Sequence, residues 1–134
     1  MNDGRTRRVE VAEIDQNWES FRAKWKATVV VLEGPAAGTE FVMESANVCI
    51  GRGSGANWTI EHDTLSKEHA ALELVEGRIR IRDLGSTNGC KVNGSDVKAA
   101  DLKNGDRLQL GECSLQFVLE KCNHKPKTYV IDDA

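Results

Sequence analysis

Three short stretches of this chain carry side chains suited to gripping an anion. Gly51-Arg52 runs into Gly53-Ser54-Gly55, Ser66-Lys67-Glu68-His69 follows, and Leu84-Gly85-Ser86-Thr87-Asn88-Gly89 completes the set. Arginine presents a planar fork of donors and lysine a point charge, while serine, threonine and asparagine add hydroxyl and amide donors. Brought to one patch, these groups would hold a phosphate-like ligand through charge-assisted hydrogen bonds. None is a strong nucleophile without a base, so the chemistry is that of holding an anion rather than breaking a bond.

Each stretch also has a plainer reading. Arg52 could be a solvated residue at a strand end, His69 a bracket between loops, and Asn88-Gly89 a well-made turn. Asp63, Ser66 and His69 invite a catalytic reading, but a triad is defined by geometry, and no nucleophile elbow surrounds Ser66. Gly53-Ser54-Gly55 lacks the Gly-Lys-Ser/Thr ending of a nucleotide loop, and no helix is expected after it. Cys49, Cys90, Cys113 and Cys122 share no metal-ligand spacing with each other or with His62, His69 and His124. They read as reduced thiols, and neither a metal nor a cofactor is expected.

The elements that must position these residues are strands. Thr28 to Glu33 is β-branched and ends at Gly34-Pro35. Thr39 to Met43 reads as the returning strand, Asn47 to Ile50 as a third that stops at Gly51, and Trp58 to Ile60 as a short fourth. Ala70 to Val75 turns at Glu76-Gly77 into Arg78-Ile79-Arg80-Ile81-Arg82, whose strict alternation predicts one buried and one wet face. Cys90 to Val92, Arg107 to Leu110 and Ser114 to Glu120 are further strands, with a small connection between Val97 and Leu102. The expectation is an all-β sandwich over residues 27–121.

Residues 1–26 differ. Ile14, Trp18, Phe21 and Trp25 recur at the spacing of one helical face, and Asp15 is a candidate cap. That short helical extension would either dock on its own domain or offer its rings to a partner. Residues 122–134 read as a loose polar tail. At 134 residues with a net charge of −3, a single domain is expected and a general nucleic-acid binder is not. The sequence contains no apolar run long enough to span a membrane and no signal-like apolar centre, so an intracellular location, nucleus or cytoplasm, is expected.

Taken together, Gly-Arg, then Ser-x-x-His, then Leu-Gly-Ser-Thr-Asn-Gly resembles the forkhead-associated (FHA) domain, over roughly residues 27–120. The resemblance implies a two-sheet β-sandwich of about eleven strands whose loops at one end bind phosphothreonine peptides. By that resemblance Arg52 and Ser66 would grip the phosphate, Lys67 would touch phosphate or peptide, Thr87 would shape the pocket, and Asn88 would bond the peptide backbone. Gly51, His69 and Gly89 would support the site. Two departures stand out: Cys90 where many members have Thr or Val, and Thr64 where some carry an arginine that reads an acidic third residue. His62, Lys67 and Lys91 leave a basic rim, which Glu61, Asp63 and Glu68 dilute. The implied function is a non-catalytic module that recruits phosphorylated protein partners in kinase signalling, and a monomer is expected. Two other readings are assembly through a phosphorylated threonine such as Thr128 on a second copy, and a regulatory domain of a larger enzyme.

Overall fold

The computed structural model describes residues 18–122. A helical turn, α1, covers residues 18–24. It leads into β1 (Trp25–Glu33), β2 (Glu40–Val42), β3 (Asn47–Gly51), β4 (Trp58–Thr59), β5 (Ala70–Val75) and β6 (Arg78–Asp83). These are followed by β7 (Cys90–Val92), β8 (Ser95–Val97), β9 (Ala99–Asp101), β10 (Arg107–Leu110) and β11 (Cys113–Lys121).

The strands form two sheets, one of six in the order β2-β1-β11-β10-β7-β8 and one of five in the order β4-β3-β5-β6-β9. Alternation dictates which side of each strand faces inward. In β6, Ile79 and Ile81 are buried while Arg78 and Arg82 are exposed. Arg80 and Arg82 pair with Asp101 and Glu73 on the neighbouring strands. Val29, Val31, Leu108, Leu110, Leu115 and Phe117 of the larger sheet meet Ile50, Leu72, Ile79 and Ile81 of the smaller one in a single core. Phe117 is fully buried, and truncating such a ring to alanine costs about 3–5 kcal/mol. The result is the expected all-β sandwich of two sheets and eleven strands.

Two features differ from the sequence reading. Ser95–Val97, assigned to no element from the sequence, forms β8, and Ala99–Asp101, inside the connection read between Val97 and Leu102, forms β9, both at sheet edges. Asn93-Gly94, with φ of 51° and 88°, makes the left-handed two-residue turn that joins β7 to β8. Trp25 leaves the helical face and opens β1 opposite Lys121, whose Nζ lies 5.8 Å from the ring centroid. Phe21 is buried in the core and stacks on half-buried Trp18 at 5.8 Å, so this part of the extension packs on its own domain. Ile14, Asp15, Thr128 and the tail beyond Cys122 lie outside the described residues.

Candidate functional site

Gly51 ends β3 with the β4–β5 loop lying directly against it. A Cβ at this position would fall 2.0 Å from the Lys67 carbonyl oxygen, so only glycine permits the approach. The contact lets the next two amides bond across: Arg52 N donates to the Ser66 carbonyl at 2.9 Å, and Gly53 N to that of Lys67 at 3.2 Å. Arg52 Nε donates to the Leu65 carbonyl at 2.9 Å, which fixes the guanidinium plane. Its two terminal amino groups make no hydrogen bond among the described residues, and the side chain is exposed.

His69 joins the loops from beneath. It is fully buried. Nδ1 accepts the Ser66 amide at 3.0 Å, so Nε2 carries the hydrogen and donates to the Gly89 carbonyl at 2.8 Å. Both ring nitrogens are thereby committed, and neither reaches the Ser66 hydroxyl. That hydroxyl accepts the Thr87 amide at 3.0 Å, which leaves its own hydrogen free to donate. The base-to-nucleophile bond of a catalytic triad is therefore not formed here.

The β6–β7 loop is held by a second bracket. The Asp83 carboxylate, 3% exposed, accepts the Ser86 hydroxyl, the Ser86 amide at 3.4 Å and the Cys90 thiol at 3.4 Å. Ser86 Oγ in turn accepts the Gly89 amide at 2.9 Å. Burial pushes the Asp83 carboxyl up, but the hydrogen bonds from Ser86 and Cys90 outweigh it and hold the group below its ordinary value. Burial, with the Asp83 charge added, pushes the Cys90 thiol up to about 12. Ligand atoms of His69, Asp83 and Cys90 lie within 4.8 Å of one another, a spacing compatible with a metal cluster. Each is already engaged, His69 at both nitrogens and Cys90 through its own proton, so the cluster is a hydrogen-bond bracket. Cys90 packs inside β7 at 2% exposure.

Above these brackets lies a cavity of about 410 Å³ lined by Arg52, Asp63, Thr64, Leu65, Ser66, Lys67, Thr87 and Asn88. All five residues assigned from the sequence to phosphopeptide contact line it, and Gly51, His69 and Gly89 form its underpinning. Asn88 Nδ2 donates to the Thr64 carbonyl at 2.8 Å, leaving Oδ1 free to accept. Sequence reasoning noted Thr64 only as a departure and missed its bracing role. Its hydroxyl accepts the Glu112 amide at 2.9 Å and meets His62 Nδ1 at 2.9 Å, tying the site to the β10–β11 turn. A bond to a residue so distant in sequence leaves no local signal.

A larger groove of about 550 Å³ is lined by Trp18, Arg22, Trp25, Met43 and Cys122, among others. It lies at the start of β1, away from the β10–β11 turn, and its lining is mainly apolar. Size alone does not make it the site. The convergent donors are at the smaller cavity, and anion chemistry needs those.

The model of the FHA domain family matches residues 48–111. The glycogen accumulation regulator GarA of Mycolicibacterium smegmatis is 36% identical over 92 residues, covering 69% of this chain and 58% of the relative. This chain thus spans less than two thirds of that relative's length. Among solved structures, one from a structural and functional analysis of phosphothreonine-dependent FHA domain interactions superposes with a TM-score of 0.64 at 26% identity, covering 69% of this chain and 95% of that one. The FhaA FHA domain complexed with the intracellular domain of Rv3910 superposes with a TM-score of 0.62 at 26% identity, covering 68% and 98%. The curated relative is bacterial, which gives no support to the nuclear half of the expected location.

Proposed function

The chain belongs to the FHA domain family through residues 48–111, and on that premise we propose that it is a non-catalytic module that binds phosphothreonine-containing proteins inside the cell and recruits them in kinase signalling. One observation carries the reading: Arg52, Ser66, Lys67, Thr87 and Asn88, drawn from three loops, line one cavity of about 410 Å³. Phosphothreonine brings a charge of about −1.5 to −2 and three strong acceptor oxygens. Arg52 offers its two terminal amino groups, Lys67 an ammonium and Ser66 a hydroxyl hydrogen, while Asn88 Oδ1 can take a peptide amide. The FhaA FHA domain complexed with a protein domain supports the idea of a folded partner.

The test is fluorescence polarisation with peptide pools of random flanks built around phosphothreonine, phosphoserine or threonine. The phosphothreonine pool is expected to bind best. Each charge-assisted hydrogen bond contributes about 1.5–3 kcal/mol, so Arg52→Ala should weaken binding about tenfold to a hundredfold or more with the fold intact. Equal binding of all pools, or wild-type affinity in Arg52→Ala, would overturn the reading.

A further inference from the structure

The cavity is not uniformly cationic. Asp63 lines it together with Arg52 and Lys67, and all three side chains are exposed. None of the ion pairs among the described residues involves any of them. The other charged groups nearby, Glu61, His62, Glu68, Lys91 and Glu112 of the β10–β11 turn, do not line the cavity. The Glu68 carboxylate lies over Gly55, where an added Cβ would meet Oε2 at 3.2 Å. His62 Nδ1 is held against the Thr64 amide and hydroxyl. Thr64 itself is engaged through its hydroxyl and its carbonyl, so it is a strut rather than a reader.

Charge balance then decides what flanks the phosphate. A bound phosphothreonine supplies about −1.5 to −2, which the Arg52 guanidinium and the Lys67 ammonium together offset. The Asp63 carboxylate is left uncompensated in the filled site, at its edge and open to solvent. A flanking acid would be repelled by it, whereas a flanking lysine or arginine would meet the one carboxylate among the residues that line the cavity.

We propose that Asp63 is a specificity-determining residue, and that the preferred partner carries a lysine or arginine beside its phosphothreonine. The proposal rests on the phosphothreonine reading above. An exposed pair of this kind changes affinity by about two- to fivefold and fades with added salt. The experiment is an array of phosphothreonine peptides in which each flanking position in turn is arginine, alanine or aspartate, probed with the wild type, Asp63→Asn and Asp63→Glu. The wild type should favour arginine over aspartate by several-fold at one or more positions, and Asp63→Glu should keep that order. Asp63→Asn should bind every phosphopeptide at least as tightly while losing the preference. A wild-type preference for acidic flanks, or the same profile in wild type and Asp63→Asn, would overturn the assignment while leaving the phosphothreonine reading intact. Failure of every phosphopeptide to bind the wild type would overturn both.

Discussion

Replacing His69 with alanine removes one ring that serves two loops. In the native protein the ring is fully buried, accepting the Ser66 amide and donating to the Gly89 carbonyl. Without it, that N–H and that C=O lose their partners in the interior. Each unsatisfied buried group costs about 1–3 kcal/mol, so the pair removes roughly 2–6 kcal/mol. Domains of this kind hold only about 5–15 kcal/mol in all. At roughly 4–8 °C per kcal/mol, the melting temperature should fall by at least about 8 °C. Urea denaturation followed by tryptophan fluorescence gives the free energy directly, and polarisation with a phosphothreonine peptide gives the effect on binding. Ser66 and Thr87 both depend on the bracket, so affinity should fall along with stability. A loss below about 1 kcal/mol with unchanged affinity would show that water or loop relaxation replaces the ring, refuting the bracket argument.

Further outcomes follow from the same geometry. Gly51→Ala places a methyl group against the Lys67 carbonyl at 2.0 Å, whereas Gly53→Ala meets the Lys67 Cβ at 3.1 Å. The first should therefore destabilise by about 1–3 kcal/mol or more and abolish phosphopeptide binding, and the second should be milder on both counts, as thermal melts and polarisation would show. Cys90 and Cys113 are 2% and 0% exposed with thiols pushed up by burial. A thiol reagent at about pH 8 should reach both only after denaturant is added, and faster reaction in the native state would contradict the packing. Cys90 ionises near 9.0 in the open chain and at about 12 in the fold. Its contribution is therefore present below the lower value and lost as the pH rises between the two, so Cys90→Ala should flatten the alkaline fall in urea midpoint relative to wild type.

The sandwich was legible where packing imposes a pattern on the chain. Ile79 and Ile81 between arginines announce a strand with one buried face, whereas Gly51 was legible only as a strand end and, through the resemblance, as a support of the site. The edge strands β8 and β9 were not legible, because Ser95–Val97 and Ala99–Asp101 bury little and owe their extension to pairing with β7 and β6. Trp25 misled because it continues a helical spacing, yet its neighbour across β1 is Lys121, nearly a hundred residues away by position in the sequence. The contact residues of the cavity were recognisable as a set through the motif they form. Thr64 and Asp63 were noticed, one as a departure and the other as an acid at the rim, but the bonds of Thr64 to Glu112 and Asn88 and the place of Asp63 in the lining were not legible.

Trp25 and Lys121 face each other in the antiparallel pair of β1 and β11, so the chain enters and leaves the sandwich side by side. That arrangement sets how the domain answers a mechanical load. A pull on both ends opens β1 from β11 one rung at a time, as a zipper, instead of shearing every rung at once. The last rung, at Glu33 and Ser114, lies beside the β10–β11 turn, to which Thr64 ties the cavity lined by Arg52, Ser66 and Asn88. Tension in a longer polypeptide would peel the terminal strands from their outer ends first, and the load would reach the turn that braces the cavity last.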